Sequence, residues 1–352
     1  MIDIIDTVEK FDCLKSEWEQ LEQGPRMRVF QTYAWCRAAW DCCLSKERGD
    51  KLWILRWHRE GLEDVVIFPF YIDNKGTLRF IFDAHSDSLD TIYLPGGNRH
   101  ICYYEAVGEM LHNSDIKQIC LNKMSCESEA LKYFSVLFNG ATVFKDNAYS
   151  WLQIEKTENF LQSLVHMKSN DRVQLKTILR KTSTRSLRII SSEAGDSFPE
   201  ERILQLKELS IKKSLRSESF FPDSFMQFTK KLYEIGVVDI AMIYDCNTCL
   251  GLNFVLKKGC YLLSWIFISA DNRIPTELCV KYLANQSRIH KFTFDFGVGA
   301  YVYKLKTFRP FVSPTFAVLY GKSHYAQIKC LLIAGIRLIK DYAKRLLNKG
   351  AR

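Results

Sequence analysis

The chain has no apolar run approaching the ~20 residues that a membrane-spanning helix requires; the run near its end, residues 330–336, is far shorter. Its opening, Met1-Ile2-Asp3-Ile4-Ile5-Asp6, lacks the basic stretch and apolar core of a secretory signal. A disulfide framework is not implied either. Twelve cysteines would suggest one only in a short secreted chain. Here Cys36, Cys42, Cys43, Cys120, Cys260, Cys279 and Cys330 lie in apolar runs and read as reduced core residues of a cytoplasmic protein. Cys246-Asn247-Thr248-Cys249 has no second ligand pair at zinc-site spacing, so it reads as a hairpin turn and no metal is expected.

What is present is enough for two cores. At 352 residues the chain exceeds one ordinary domain of ~100–200 residues, and its 47% hydrophobic content supplies each half with apolar material. Phe11, Leu14, Trp18 and Leu21 recur at helical spacing over residues 6–22, and a second short helix follows Thr32. Extended segments are predicted at 52–57, 65–71 and 78–82, then a helix at 103–111, a strand at 118–121, a helix at 127–138, and strands at 141–144 and 151–154. The second half repeats this order. Helices at 200–213 and 223–235 lead into strands at 237–244, 250–256 and 261–269; a helix at 276–289, a strand at 292–296, a short helix and a strand at 315–320 follow. The expected fold is therefore α/β, with two similar domains at 1–156 and 157–352. Each would be a mixed, mostly antiparallel sheet flanked by helices.

The stretch Phe292-Thr293-Phe294-Asp295-Phe296-Gly297-Val298-Gly299-Ala300-Tyr301-Val302-Tyr303-Lys304 carries an aspartate on a strand, a glycine, and a Tyr-Lys pair. It resembles the signature of CelD-type acetyltransferases, members of the GNAT superfamily associated with bacterial polysaccharide synthesis. Phe30-Gln31-Thr32-Tyr33-Ala34-Trp35, Phe68-Pro69-Phe70 and His85-Ser86-Asp87 resemble the leader of that family and of the Fem-type tandem-GNAT aminoacyl transferases. Two positions depart from the pattern. Ala300 stands where an acidic residue commonly follows the glycine, and the turn before the following helix, Asp271-Asn272-Arg273-Ile274-Pro275-Thr276, has no glycine.

The resemblance implies an acyltransferase that moves an acyl group from acetyl-CoA or another acyl-CoA. The acceptor would be an amino sugar, a nucleotide sugar or a lipid-linked glycan precursor. Asp295 and Tyr303 are the catalytic candidates, as base or orienter and as general acid. The donor arm would pair with the strand at Ile266, Phe267 and Ile268, with phosphates met by Asn272, Arg273, Thr276 and Lys304 at a helix start. His85, Asp87 and Glu218 are substrate-side candidates. A Fem-like transfer from charged tRNA, or a non-catalytic GNAT-derived binding module, are the alternatives.

Two basic segments remain. Lys168, Arg172, Lys176 and Arg180, four apart, are expected on one face of a helical segment 168–188, a ridge suited to polyphosphate, lipid-linked sugar or RNA. A Pro-Gly-Gly turn at 95–97 could likewise take a phosphate. The last helix, 324–347, carries Ile328, Leu331, Leu332, Ile336, Ile339 and Tyr342 among lysines and arginines. Its apolar stripe is expected to pack on the preceding domain, the alternative being peripheral membrane contact.

Overall fold

The computed structural model describes residues 1–349 apart from 25–26, 45–47, 60–63, 95–98, 165 and 300–301, and without the side chains of 302, 303, 338 and 340–349. The Pro-Gly-Gly turn, Ala300 and the side chain of Tyr303 thus lie outside the described residues. Two compact units emerge: Met1–Ala148 together with Ser313–Arg352, and Tyr149–Val312. A single cut near residue 156 does not reproduce them, because the last forty residues fold with the first unit.

In the first unit, β1 (Ile2–Ile5) precedes α1 (Val8–Cys13) and α2 (Lys15–Leu21). Thr7 caps α1 by accepting the N–H of Lys10, and the expected single helix breaks at Leu14. Phe11 and Trp18 are fully buried, and the Trp18 indole donates to the Gln31 carbonyl at 2.8 Å. Thr32 caps α3 (Tyr33–Cys42) in the same way. Then come β2 (Lys51–Leu52), β3 (Ile54–His58), β4 (Val65–Phe68), β5 (Phe70–Ile72), β6 (Thr77–Phe80), β7 (Ile92–Tyr93), α4 (His100–His112), β8 (Gln118–Ser125), α5 (Glu129–Leu137) and β9 (Thr142–Ile154).

The extended segment expected at 65–71 is two strands. Pro69 has no N–H to give to a ladder, and at that point the chain changes sheets. β4 joins an antiparallel sheet of order β1-β3-β4-β7, while β5 pairs with β2 and β6.

The second unit starts inside β9 and continues through α6 (Phe160–Ser163), α7 (Ser169–Lys181), β10 (Arg185–Ile190), α8 (Glu200–Lys212), α9 (Asp223–Glu234), β11 (Val238–Asp245), β12 (Thr248–Lys258), β13 (Tyr261–Ser269), α10 (Ile274–Ile289), β14 (Phe292–Val298) and α11 (Val302–Phe308). β15 (Phe311–Gly321) and α12 (His324–Lys349) return to the first. The basic segment at 168–188 is helical only to Lys181. Beyond it Leu187 and Ile189 alternate with polar residues, and the strand pairs with β11. Cys246 sits in the β11–β12 turn with φ of 50°, as expected of the C-x-x-C segment. All twelve cysteines are unbridged. Seven of them are buried, but Cys260, expected in the core, is exposed.

The strands expected at 141–144 and 151–154 are a single strand, β9, whose residues 149–154 pair antiparallel with β14. β15 pairs antiparallel with β8. Residues 149–154 thus pair within the second unit and residues 315–321 within the first, which is why residues 313–352 belong with the first. Within the second unit the sheet runs β10-β11-β12-β13-β14-β9. Leu152, Leu262, Leu278, Tyr282, Phe294 and Phe296 pack on one another at its centre.

Candidate functional site

The sheet of the second unit opens in one place. β13 and β14 are parallel neighbours at Tyr261↔Thr293, Leu262↔Phe294 and Leu263↔Asp295, and there the pairing stops. β13 nevertheless runs on to Ser269 and β14 to Val298. On its other side β13 pairs with β12 throughout, but the register slips. Phe254 faces Ile266 and Val255 faces Ser264, so Trp265 is an inserted, bulged residue. A bulge bends and twists the strand that carries it, and this one lies where β13 leaves β14. Past Leu263 the β14 ladder has ended, and residues 266–269 present their main-chain edge towards the gap.

That edge is partly spoken for. Arg216, on the loop after α8, stacks over Phe220 and donates to the Phe267 carbonyl at 3.0 Å. In an antiparallel ladder a residue's N–H and C=O point to the same side, so the Phe267 N–H faces outward with its carbonyl. Ile266 and Phe267 are half-buried and Ile268 is fully buried. Of the three positions expected to meet an acyl donor, Phe267 is thus the one whose main chain is presented.

Asp295 closes the base of the opening. It is buried, accepts the Gly297 N–H at 2.8 Å and takes the Tyr261 hydroxyl on its other oxygen. Gly297 and Gly299 hold φ of 74° and 102°, which glycine adopts without strain, and β14 bulges against β9 between Asp295 and Val298. Lys304, also buried, donates to the Phe296 carbonyl. Its ammonium therefore braces the strand-to-helix loop and is not offered to a donor phosphate as the sequence suggested. Asp295 and Lys304, expected in separate catalytic and phosphate-binding roles, each bond to the main chain of β14 and its following loop. A second buried polar pair, Asn253 and Ser264, bonds side chain to side chain at 3.1 Å beside the bulge. Burial pushes the Cys279 thiol up to about 12, against the lowering effect of Lys304.

The start of α10 has little to give an anion. Ile274 N–H is taken by the Asp271 carbonyl, Pro275 has none, and Glu277 N–H is taken by the Arg273 carbonyl. Among the described residues only the Thr276 N–H is left of that first turn. The Asp271 carboxylate accepts the Arg273 backbone N–H at 2.8 Å and pairs with its guanidinium, and those bonds hold it below the usual carboxylate range. Glu277 adds a second carboxylate, paired to Arg185. Ile274 also packs close on Gly251, where a Cβ would meet its Cγ2 at 2.7 Å. Two acids and an apolar plug thus occupy the place where the sequence suggested a pyrophosphate cradle of Asn272, Arg273 and Thr276.

The first unit has the matching strands without the opening. β6 pairs in parallel with β8 only at Thr77↔Gln118 and Leu78↔Ile119, but the chain after β6 turns away and is pinned. Arg79 bonds Asp73 at 3.0 Å and Asp83 at 3.1 Å, and Lys123 donates to the carbonyls of Asp83, Ala84 and Ser86. His85 and Asp87 lie in that pinned loop, where burial and Lys123 lower the His85 pKa. Glu218 is exposed in the second unit. The three substrate-side candidates thus divide between the units. Tyr261, Asn253, Ser264 and Arg216 were not singled out from the sequence; lone polar residues within the apolar runs of β12 and β13, and a cation near aromatic Phe220, were the available signals. Among the described residues no cluster of His, Cys, Asp and Glu could hold a metal ion.

Comparison with known proteins gives a fold and no more. No protein-family model matches the chain, and no curated protein matches it in sequence. Solved structures do. FemX superimposes with a TM-score of 0.56 at 11% identity, over 90% of this chain and 96% of FemX. A tandem GNAT protein from the clavulanic acid biosynthesis pathway, without acetyl-CoA, gives 0.50 at 12% identity, over 92% and 99% of the two chains. The chain has the GNAT fold. The C-terminal domain of a candidate lysylphosphatidylglycerol synthetase from Agrobacterium fabrum also shares it, with a TM-score of 0.53 at 12% identity over 80% and 87%. The GNAT sheet is here a pair of α/β units, each mostly antiparallel and flanked by helices, with α12 appended. No helix among the described residues is long and apolar enough to cross a membrane.

Proposed function

We propose that this GNAT-fold protein is an acyl-group transferase whose donor lies along the open edge of β13 in the second unit, and that the donor is an aminoacyl ester of tRNA. The observation that carries the reading is the early end of β13–β14 pairing at Leu263↔Asp295 beside the Trp265 bulge. It supplies an extended backbone edge to which a donor can add as a strand would. Attack of an acceptor amine or hydroxyl on the donor carbonyl puts negative charge on its oxygen, and the Phe267 N–H is the group offered to it. The ester C–O bond then breaks, and the departing hydroxyl oxygen takes a proton. Tyr303 is the proposed source of that proton, and the proton lost by the attacking amine or hydroxyl restores the Tyr303 hydroxyl. Asp295, bonded to Tyr261 of β13, and Lys304, bonded to the Phe296 carbonyl, act as positioning residues that fix β14 where its pairing with β13 ends.

The start of α10 favours an aminoacyl ester over acyl-CoA. A coenzyme A diphosphate there would meet Asp271 and Glu277 with one N–H to receive it, whereas a tRNA ester makes no demand on that helix. The fold shared with FemX, the synthetase domain and the tandem GNAT protein fits either donor. Acyl-CoA is the second reading. The residue pattern at 292–304 favours it, as does Arg273, whose side chain is 83% exposed and able to leave Asp271. The acceptor expected from the sequence, an amino sugar or lipid-linked glycan precursor, is compatible with both.

Filter binding of total aminoacylated tRNA against the same pool deacylated, with thermal unfolding in acetyl-CoA alongside, tests the reading. Retention of the charged pool with no stabilisation by acetyl-CoA is expected. A rise of several degrees with acetyl-CoA and no tRNA retention would replace the donor by acyl-CoA. Neither response would overturn the transferase reading.

A further inference from the structure

The last helix does not bury the stripe its periodicity advertises. Cys330 and Ala334 are buried, and with Ile333 they pack on Cys120, Phe144, Ala317 and Leu319 of the first unit. The larger side chains Tyr325, Ile328, Leu332, Ile336 and Ile339 recur at three- and four-residue spacing, so they share a face, and every one is exposed, Leu332 by 62% and Ile339 by 70%. This is the reverse of the packing expected from the sequence. The small residues let α12 approach the sheet closely, and the bulky ones are left outside.

At the foot of the same face is a cleft of about 500 Å³ lined by Lys75, Lys117, Lys322 and Lys329 together with Leu111 and Tyr325. Among the described residues none of the four lysines has an acidic partner; Lys322 donates to the Asn113 carbonyl at 2.6 Å, and burial lowers its pKa. The α12 sequence itself carries Lys329, Arg337, Lys340, Lys344, Arg345 and Lys349 against the single acid Asp341.

We propose that the exposed face of α12 and the lysine cleft beside it form one docking surface for an anionic lipid bilayer. The apolar stripe enters the acyl boundary while the cleft receives phosphate headgroups. The charge pattern selects this occupant. An apolar stripe bordered by unpaired lysines complements a surface that is apolar below and anionic above, whereas a second copy of the chain would set lysine against lysine. The proposal does not depend on which donor the transferase reading assigns.

Co-sedimentation of the full chain with phosphatidylcholine vesicles, with and without phosphatidylglycerol, tests it. Binding to the anionic vesicles alone, weakened by salt, is expected. The combined K75A/K117A/K329A variant is expected to lower partitioning about a hundredfold, from ~1 kcal/mol per lysine. Leu332→Glu with Ile336→Glu is expected to abolish it; both side chains are exposed, so the unfolding midpoint serves as a folding control. Absence of binding to the anionic vesicles, equal binding to both, or wild-type binding by the variants would overturn the proposal. So would sedimentation velocity showing a dimer that Ile336→Glu dissociates, without vesicle binding.

Discussion

Gly321 ends β15 where the chain turns into α12, and a Cβ built there would lie 2.3 Å from the backbone carbon of Ala326 and the nitrogen of Gln327. Non-bonded carbons settle at ~3.5–4.0 Å, so Gly321→Ala obliges the first turn of α12 to retreat by more than ~1 Å. Neither obstructing atom is on a side chain that could rotate away. The retreat pulls on the Gly321 N–H to Gln327 Oε1 bond of 2.8 Å, the Gln327 Nε2 to Gly140 carbonyl bond of 2.5 Å, and the packing of Cys330 and Ala334. Overpacking of this kind costs ~1–3 kcal/mol, offset by ~0.4–1 kcal/mol from the stiffer unfolded chain. A net loss of ~1–2 kcal/mol corresponds to a midpoint lower by about 2 to 8 °C for a unit of this size. Gly335→Ala is the matched control. It sits inside α12 with no atom within 4 Å of the added methyl, and replacing a mid-helix glycine is worth ~0.5–1 kcal/mol. Differential scanning calorimetry of both variants decides the matter. A Gly321→Ala midpoint equal to wild type would refute the close docking of α12 on β15.

Other outcomes follow from the clamps and turns. Asp295→Ala removes the carboxylate that accepts the Tyr261 hydroxyl and the Gly297 N–H, and is expected to cost ~2–4 kcal/mol in urea unfolding and to depress transfer through the shifted β14. Asp90 accepts the N–H groups of Glu129 and Ala130 at 3.1 and 3.0 Å at the start of α5; Asp90→Ala should lose ~1–2 kcal/mol, read by chemical denaturation. Burial would raise the Asp73 carboxyl, but the Thr77 and Lys75 N–H groups and the Arg79 guanidinium hold it below its ordinary range. An acid whose folded pKa is depressed stabilises the fold above its unfolded pKa of ~3.9 and loses that contribution as pH falls through the folded value. Asp73→Asn should therefore flatten the acid side of the stability–pH curve and leave its shape above pH ~5 unchanged.

Much of this architecture was legible where local chemistry sets it. Thr32 announces α3, Pro275 suits the first turn of α10, and the three strands after α9 are apolar runs set off by the turn residues Asp245, Asn247 and Gly259. What could not be read depends on distant partners. β9 pairs with β14 and β15 with β8, each over more than a hundred residues of sequence, which no local pattern encodes. Asp295 was found from its motif, but its partner Tyr261 lies 34 residues earlier in sequence and is met only when β13 and β14 align. Lys304 reads as a phosphate-facing helix cation until the loop folds over it and its ammonium meets the Phe296 carbonyl. Periodicity identified the apolar stripe of α12 but not which face the sheet would accept, because close approach to β8 and β15 favours Cys330 and Ala334 over the larger leucines and isoleucines. The α10 turn was correctly read as glycine-free, yet its consequence for an anion needed the positions of Asp271 and Glu277.

The central claim is that the open edge of β13 receives the donor. Hydrogen exchange at the Phe267 amide, followed in the free protein and with aminoacylated tRNA, deacylated tRNA or acetyl-CoA, measures it most directly. The account predicts fast exchange in the free protein and protection by the aminoacylated pool alone. An amide already protected in the free protein, or one that none of the ligands slows, would contradict it.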